Sequence, residues 1–154
     1  PPPVLVPTIA TLDARAETLT DEVRALVAEF WPGPLTVILP AQSSLRWDLG
    51  ETHGTVAVRM PAHPIALELL NETGPLAVSS ANLTGVAPAA TAADAERMLG
   101  ASVSVILDAG AGGTEPSTIV DASELHLPDG RVRIVRQGAI PDEAIRAVVG
   151  DDRW

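Results

Sequence analysis

Short apolar runs alternate with amphipathic segments along this chain, and that alternation limits the folds open to it. Runs rich in Val, Ile and Leu predict strands, and apolar residues at helical spacing predict helices between them. Because an Asp129-Gly130 turn also signals a hairpin near the end, we expect an α/β fold with a twisted mixed sheet, parallel and antiparallel, flanked by helices. Strands are predicted over 4–6, 35–39, 55–60, 76–78 (as a central strand), 103–107, 118–120 and 132–135, and helices over 19–30, 64–70, 91–99 and 141–149. Thr20 and Thr91 are predicted to cap the helices that follow them.

Length and composition are those of a globular domain. The chain has 154 residues, of which 46% are hydrophobic, so a single domain over residues 1–154 is expected. No apolar run approaches the roughly 18 residues of a membrane-spanning helix, which predicts a soluble protein without membrane partners. The absence of cysteine fits a cytoplasmic localisation, which is the expected one.

The charge of the chain argues against a polyanionic partner but leaves room for a small anion. A formal net charge of −10 disfavours direct RNA binding by this segment, because nucleic-acid affinity comes largely from phosphate neutralisation by Lys and Arg. All ten basic residues are Arg, so a Walker-type phosphate-binding lysine is excluded. Any nucleotide or carboxylate bound here must therefore be held by Arg and backbone amides.

Small polar residues follow the apolar run at 76–78. Ser80 and Asn82 stand where an open α/β sheet places its binding crevice, and in a still-extended segment both would point to the same side. The alternative is an ordinary strand-to-helix turn in which these residues cap a helix and Gly85 provides a positive φ.

Arg59 is the second candidate, since it lies in a strand of otherwise apolar residues. Burying an unpaired guanidinium is costly, so Arg59 requires an anionic partner. Its planar fork fits a carboxylate bidentately. The alternative is an internal ion pair with one of the chain's twenty acidic residues.

Four ordered segments together form a recognisable pattern. They are Phe30-Trp31-Pro32-Gly33-Pro34-Leu35-Thr36, Thr55–Pro61, Leu76–Gly85, and Ser117–Asp121 followed by Arg136-Gln137-Gly138. With these segments the chain resembles the YrdC-like threonylcarbamoyl-AMP synthases, from about Pro3 to the final helix. That family's domain opens with a Pro-Thr-(Asp/Glu)-Thr-Val-Tyr-Gly-Leu-type motif and a Lys-x-Arg motif, and this sequence begins just beyond them. The resemblance therefore implies a partial YrdC-like domain with its N-terminal part missing.

The resemblance implies a nucleotidyltransferase reaction. L-threonine, bicarbonate or CO2, and ATP with its Mg²⁺ would give threonylcarbamoyl-AMP and pyrophosphate, for a modified adenosine of tRNA made with downstream threonylcarbamoyl-transfer proteins. Carbamate formation and its attack on the α-phosphorus need positioning and charge neutralisation, so no catalytic side chain is expected. Without the two upstream motifs, the 154 residues alone are expected to be inactive.

The resemblance also implies roles for individual residues. Thr36 is a weaker site candidate, since Thr at the start of a strand also simply has good β propensity, and so is Thr91, beside Ala90 where the family often has a nucleotide-contacting hydroxyl. Asp108 and Asp121 each end a predicted strand; they are interpreted as turn or helix caps, with an approach to the Mg²⁺ carried by ATP as the alternative, and no metal site is predicted. The family positions assign Arg59, Ser80 and Ser117 to L-threonine and Thr55, Asn82 and Arg136 to ATP.

Two other functions stay open from the sequence. One is a carbamoyl-transfer domain of the kind found in hydrogenase maturation, which normally stands in a longer chain with zinc-finger and acylphosphatase-like parts. The other is a non-catalytic binding or assembly remnant that kept the fold.

Overall fold

A computed structural model describes residues 2–14, 19–41, 50–113 and 115–154. The chain forms two compact units. The first comprises Pro1–Val78 and Pro116–Trp154, and the second comprises Ser79–Glu115. The prediction of one domain over the whole chain stays a prediction.

A six-stranded mixed sheet organises the first unit and confirms the predicted α/β class. Its order is β4-β1-β3-β2-β5-β6. The pairs β1/β3 and β2/β5 are parallel, whereas β1/β4, β2/β3 and β5/β6 are antiparallel. The strands are β1 (Val4–Leu5), β2 (Leu35–Pro40), β3 (Thr55–Arg59), β4 (Leu76–Ala77), β5 (Thr118–Asp121) and β6 (Arg133–Arg136).

Four α-helices lie close to their predicted positions. They are α1 (Asp21–Phe30), α2 (Pro64–Thr73), α3 (Ala92–Leu99) and α4 (Asp142–Val149), with short 3₁₀ helices at Ile9–Ala14 and Asp151–Arg153. Thr20 caps α1 as predicted, because its side chain accepts a hydrogen bond from the Val23 amide at 3.3 Å. No helix within these described ranges is long and apolar enough to cross a bilayer.

The core of the first unit lies between the sheet and its helices. Val37, Val58 and Val120, from β2, β3 and β5, are fully buried. From α1, Val23, Leu26 and Val27 pack on this layer, and from α4, Ile145 does so. Each such side chain contributes roughly 1.5–3 kcal/mol of hydrophobic free energy, which fixes the strands relative to one another.

Two predictions about strands are wrong. The run at 76–78 is not central, because β4 is an edge strand of the sheet. In the described structure it pairs with β1 alone, through Leu76 and Ala77. The run at 103–107 forms no strand in the described structure. A short apolar run becomes a strand only where a neighbouring strand accepts its hydrogen bonds, and periodicity alone does not reveal the neighbour.

The second unit is small and lacks a core of its own. None of its described residues is classed as buried, and Val103, Val105 and Leu107 are exposed. Its described residues include the helix α3. Thr91 caps this helix as predicted, because its hydroxyl accepts a hydrogen bond from the Asp94 amide at 3.1 Å. An open depression of about 450 Å³ lies between α3 and the 103–108 segment.

Candidate functional site

One end of the sheet brings four of the predicted site residues together. Strands β2 and β5 are parallel and start at this end, whereas their antiparallel neighbours β3 and β6 finish there. Thr36 lies near the start of β2 and Ser117 immediately precedes β5, whereas Arg59 and Arg136 are the last residues of β3 and β6. We call these four residues the sheet-end cluster.

Ser117 is the centre of the hydrogen bonds in the sheet-end cluster. Its hydroxyl lies 2.8 Å from the Thr36 hydroxyl, and it accepts from Nη2 of Arg136 at 3.0 Å. The Ser117 carbonyl oxygen accepts two further bonds from Arg136, at 3.1 Å from Nε and 2.9 Å from Nη2. Arg136 is therefore a structural clamp on Ser117, and only its Nη1 has no hydrogen-bond partner among the described residues.

Of the Arg59 guanidinium nitrogens, only Nε has a hydrogen-bond partner among the described residues. Its Nε donates to the carbonyl oxygen of Gly33 at 3.0 Å, and the Gly33 amide donates to the Met60 carbonyl at 2.9 Å. No carboxylate of the described residues pairs with Arg59 or Arg136, which removes support for the internal ion pair as the alternative. Burial, and secondarily the positive charge of Arg136, lower the pKa of Arg59.

Two glycines allow the close approaches that build this cluster. A Cβ on Gly33 would collide with the Phe30 carbonyl oxygen, and a Cβ on Gly138 would lie 2.5 Å from the Ser117 carbonyl oxygen. Gly138 thus packs directly on the group that Arg136 clamps. Gly138 was not among the predicted site residues. A glycine two residues after a strand-end arginine is a sequence signal for such a close backbone approach.

Thr55 lies away from these groups. It begins β3 whereas Arg59 ends it, and four residues of strand separate the two by roughly 13 Å. Its hydroxyl donates to the Thr52 carbonyl at 2.7 Å. Its assignment to the nucleotide stays a prediction.

Ser80, Asn82 and Thr91 belong to the second unit. The backbone amide of Asn82 donates to the Ser80 carbonyl at 3.1 Å, so the chain bends there, and the condition of an extended segment, under which both side chains would point to the same side, is not met. Thr91 is the cap of α3, and neither Ser80 nor Asn82 caps a helix, so the helix-cap alternative for them is also wrong. The structure does not test the predicted roles of these three residues toward threonine and ATP.

Asn82 carries an unsatisfied polar atom. Its Nδ2 donates to the Leu83 carbonyl at 2.9 Å, but its Oδ1 is buried and has no hydrogen-bond partner among the described residues. An unpaired buried acceptor is costly, so a donor supplied by a ligand would relieve it.

The acidic candidates act as caps, as the sequence indicated. Asp108 accepts from the Gly110 amide at 2.9 Å, and Asp121 accepts from the Ser123 amide at 2.9 Å and from Arg133 at 2.6 Å. No group of three His, Cys, Asp or Glu side chains suited to a metal occurs in the described part of the chain.

The chemistry offered by the sheet-end cluster is anion binding. The terminal amino groups of Arg59 have no partner among the described residues, and two guanidiniums without carboxylates favour a negatively charged ligand. Guanidiniums present only donors, and carboxylates and phosphates present only acceptors. The cluster therefore has the donor set of a carboxylate or phosphate site.

The chain is similar in sequence to several known proteins. The Sua5/YciO/YrdC family model, described as "Telomere recombination", matches residues 1–138. A Mycobacterium tuberculosis relative named for threonylcarbamoyl-AMP synthase is 44% identical over 97% of this chain and 67% of its own length. The threonylcarbamoyl-AMP synthase of Pyrococcus abyssi is 36% identical over 92% of this chain and 41% of its own length.

A solved structure extends the comparison to three dimensions. P. abyssi Sua5, complexed with L-threonine, matches with a TM-score of 0.87 and 31% identity. The match covers 98% of this chain and 44% of that protein. The chain thus spans from under half to about two thirds of the relatives it matches.

Proposed function

We propose, from the premise that the chain belongs to the Sua5/YciO/YrdC family, that the protein containing it makes threonylcarbamoyl-AMP. Its substrates are L-threonine, bicarbonate or CO2, and ATP, and pyrophosphate is released. The product is the activated precursor for threonylcarbamoyl modification of tRNA by downstream transfer proteins. The activity is proposed for a whole enzyme, because these residues span only part of their relatives.

The half-buried guanidinium of Arg59 is the observation that carries the proposal. It has no acidic partner among the described residues, and its two terminal amino groups form the fork that binds a carboxylate bidentately. The relative with bound L-threonine supports that amino acid as the source of the carboxylate. By their family positions, Ser117 and Ser80 are each proposed as a further residue for L-threonine.

The nucleotide is assigned to the remaining residues. Asn82 offers the unsatisfied Oδ1 as an acceptor for a nucleotide donor, Arg136 offers its Nη1 to a phosphate, and Thr55 offers a hydroxyl. Thr36 and Thr91 are not needed for direct contact. Mg²⁺ arrives with ATP and neutralises phosphate charge, and the proposal requires no protein-held metal.

In this proposal the protein accelerates the reaction mainly by positioning the substrates. The neutral threonine amine adds to CO2 and releases one proton to solvent, which leaves a carbamate. A carbamate oxygen attacks the α-phosphorus while the bond to the β-phosphate oxygen breaks and pyrophosphate leaves. The donors of the cluster fix the threonine carboxylate, which orients the amine end toward the nucleotide. Nucleotidyl transfer of this kind requires no protein nucleophile.

Pyrophosphate release tests the function. The complete protein is expected to release pyrophosphate only when threonine, bicarbonate and ATP are all present, and mass spectrometry of the product should show threonylcarbamoyl-AMP. Serial omission of each substrate is the control. Release that is independent of threonine, or transfer that requires carbamoyl phosphate instead of bicarbonate, would overturn the proposal.

We also propose that the 154-residue span alone shows little turnover, since the Lys-x-Arg motif of the family is not in its sequence. Turnover of this span at the rate of the complete protein would contradict that part without affecting the function itself.

A further inference from the structure

The buried hydroxyl of Thr36, which is hydrogen-bonded to Ser117, has no role in the proposed substrate contacts. Thr36 is only 3% exposed and lies in β2 between the buried residues Leu35 and Val37. Valine has nearly the same shape and suits such a strand position better. The Thr36 hydroxyl has one hydrogen-bond partner among the described residues, the Ser117 hydroxyl at 2.8 Å.

The protons of this small network can be counted. A hydroxyl has one hydrogen to donate and two lone pairs to accept with, whereas a guanidinium only donates. The bond from Arg136 Nη2 therefore occupies one lone pair of Ser117. If Thr36 donates to Ser117, the second lone pair is also occupied and the Ser117 hydrogen is left for another acceptor.

The opposite arrangement is less favourable. If Ser117 donates to Thr36, the Thr36 hydrogen has no described acceptor at a position that is 3% exposed, and a buried unpaired hydroxyl carries a desolvation cost. Ser117 would then turn a lone pair toward the ligand, which an anion cannot use. An anion held by Arg59 beside Ser117 thus selects the arrangement in which Thr36 donates.

We propose that Thr36 is a positioning residue that makes the Ser117 hydroxyl a pure hydrogen-bond donor toward the bound carboxylate. Thr36 touches no substrate and acts only through Ser117. The inference rests on the proposed function for the identity of the ligand, since L-threonine provides the carboxylate. Its consequence is selectivity, because a donor-only serine favours the carboxylate end of an amino acid over its ammonium end.

Thr118 provides a matched control. It is the residue after Ser117, is fully buried on β5, and has a hydroxyl that bonds to the Ile140 backbone, at 2.7 Å to the carbonyl oxygen and 3.0 Å from the amide. Thr118→Val also removes a buried threonine hydroxyl from this sheet, but one that makes no hydrogen bond to the Ser117 hydroxyl. It therefore measures the purely structural effect.

Calorimetric titration of the complete protein with L-threonine, and with inorganic phosphate as a second anion, tests the inference. Thr36→Val is expected to weaken L-threonine binding about fivefold, the equivalent of one neutral hydrogen bond. Thr36→Ser, which keeps the hydroxyl, should bind as the wild type does. Thr118→Val should lower the melting temperature but leave the affinity of the folded protein within about twofold.

A double substitution separates action through Ser117 from any other route. If Thr36 works only through that hydroxyl, Thr36→Val adds no further loss of affinity in a Ser117→Ala background. An additive loss would overturn the inference. Thr36→Ala replaces Thr36→Val if the valine variant does not fold, and failure of both to fold beside a folded Thr118→Val would make Thr36 structural and overturn it.

The outcomes distinguish this inference from the proposed function. Unchanged threonine affinity in Thr36→Val, lost affinity in Thr36→Ser, or an equal loss in Thr118→Val each overturns the inference and leaves the function standing. Binding of phosphate but not threonine, with the same dependence on Thr36, overturns the substrate and supports the inference. A wild-type complete protein that binds neither anion overturns both.

Discussion

Arg136 donates two hydrogen bonds to the carbonyl oxygen of Ser117, a residue that precedes it by 19 positions. A third bond from the same guanidinium reaches the Ser117 hydroxyl. The antiparallel pairing of β5 and β6 brings these residues together, with Ile119 opposite Arg136. The position of the Ser117 hydroxyl relative to Arg59 thus depends on a backbone carbonyl that a distant arginine holds in place.

Gly138 is expected to be essential to that arrangement. Gly138→Ala would place a Cβ 2.5 Å from the Ser117 carbonyl oxygen and from the Pro116 carbonyl oxygen, so the backbone must shift and Arg136 must release its clamp. We expect a loss of roughly 1–3 kcal/mol in the free energy of unfolding, measured by urea denaturation.

The matched control for Gly138 is Gly113→Ala. No heavy atom lies within 4 Å of a Cβ at Gly113, so this change should be close to neutral. A Gly138→Ala variant as stable as Gly113→Ala would show that the close approach to Ser117 does not constrain the cluster.

Arg59→Ala is expected to weaken L-threonine binding far more than ATP binding. The loss should be roughly 1.5–3 kcal/mol, about 10- to 150-fold in Kd, because a hydrogen-bonded charge pair is removed. Arg59→Lys should restore binding only in part, since an ammonium cannot form two parallel bonds. Isothermal titration of the complete protein with each substrate gives both affinities.

Arg24→Ala controls for the loss of a positive charge elsewhere on the first unit. Arg24 is exposed and pairs with Asp13 at 3.3 Å, so its removal should leave threonine affinity unchanged. Equal threonine affinity in folded Arg59→Ala and wild type would return Arg59 to a structural role.

Asn82→Ala is expected to raise the KM for ATP or lower kcat. The change removes the side-chain Oδ1, which has no hydrogen-bond partner among the described residues and is proposed to accept one from the nucleotide. Ser80→Ala should act mainly through threonine, and the double variant should be non-additive because both residues hold one reacting pair. Steady-state kinetics and melting temperature are measured on the same preparations of the complete protein.

Arg97→Ala serves as the control for the second unit. Arg97 is exposed and pairs with Asp94 on the same helix, so its removal should change stability little and leave the KM for ATP unchanged in the folded fraction. Destabilised Ser80 and Asn82 variants with normal kinetics would remove both residues from the active site.

Asp121→Asn is expected to reveal an acid-dependent contribution to stability. Burial alone would raise the pKa of Asp121, but hydrogen bonds from Ser123 and the pairing with Arg133 outweigh it and lower that pKa. Because the folded pKa lies below the unfolded one, the stabilisation is present above about pH 3.8 and is lost as the pH falls through the folded value.

The stability difference between wild type and Asp121→Asn should therefore be about 1 kcal/mol near pH 7, allowing for solvent screening, and should shrink below about pH 4. Urea denaturation across pH 3–7 measures it. A difference that grows toward acid pH would contradict the sign of the pKa shift.

Local patterns were sufficient for much of this protein. The caps Thr20 and Thr91, the helices that follow them and the mixed α/β class were predicted from spacing and capping chemistry, because these depend on residues within a turn or two of each other. The order of four motifs was enough to identify the family. Arg59 was recognised because a guanidinium among apolar strand residues requires a partner.

The sheet pairing decided the rest. Thr36 and Ser117 are 81 positions apart, and only the parallel register of β2 and β5 brings their hydroxyls to 2.8 Å. The same long-range pairing made 76–78 an edge strand and left 103–107 without one in the described structure. Local periodicity shows which residues favour a strand, whereas the partner and register of each strand depend on how all the apolar faces are buried together.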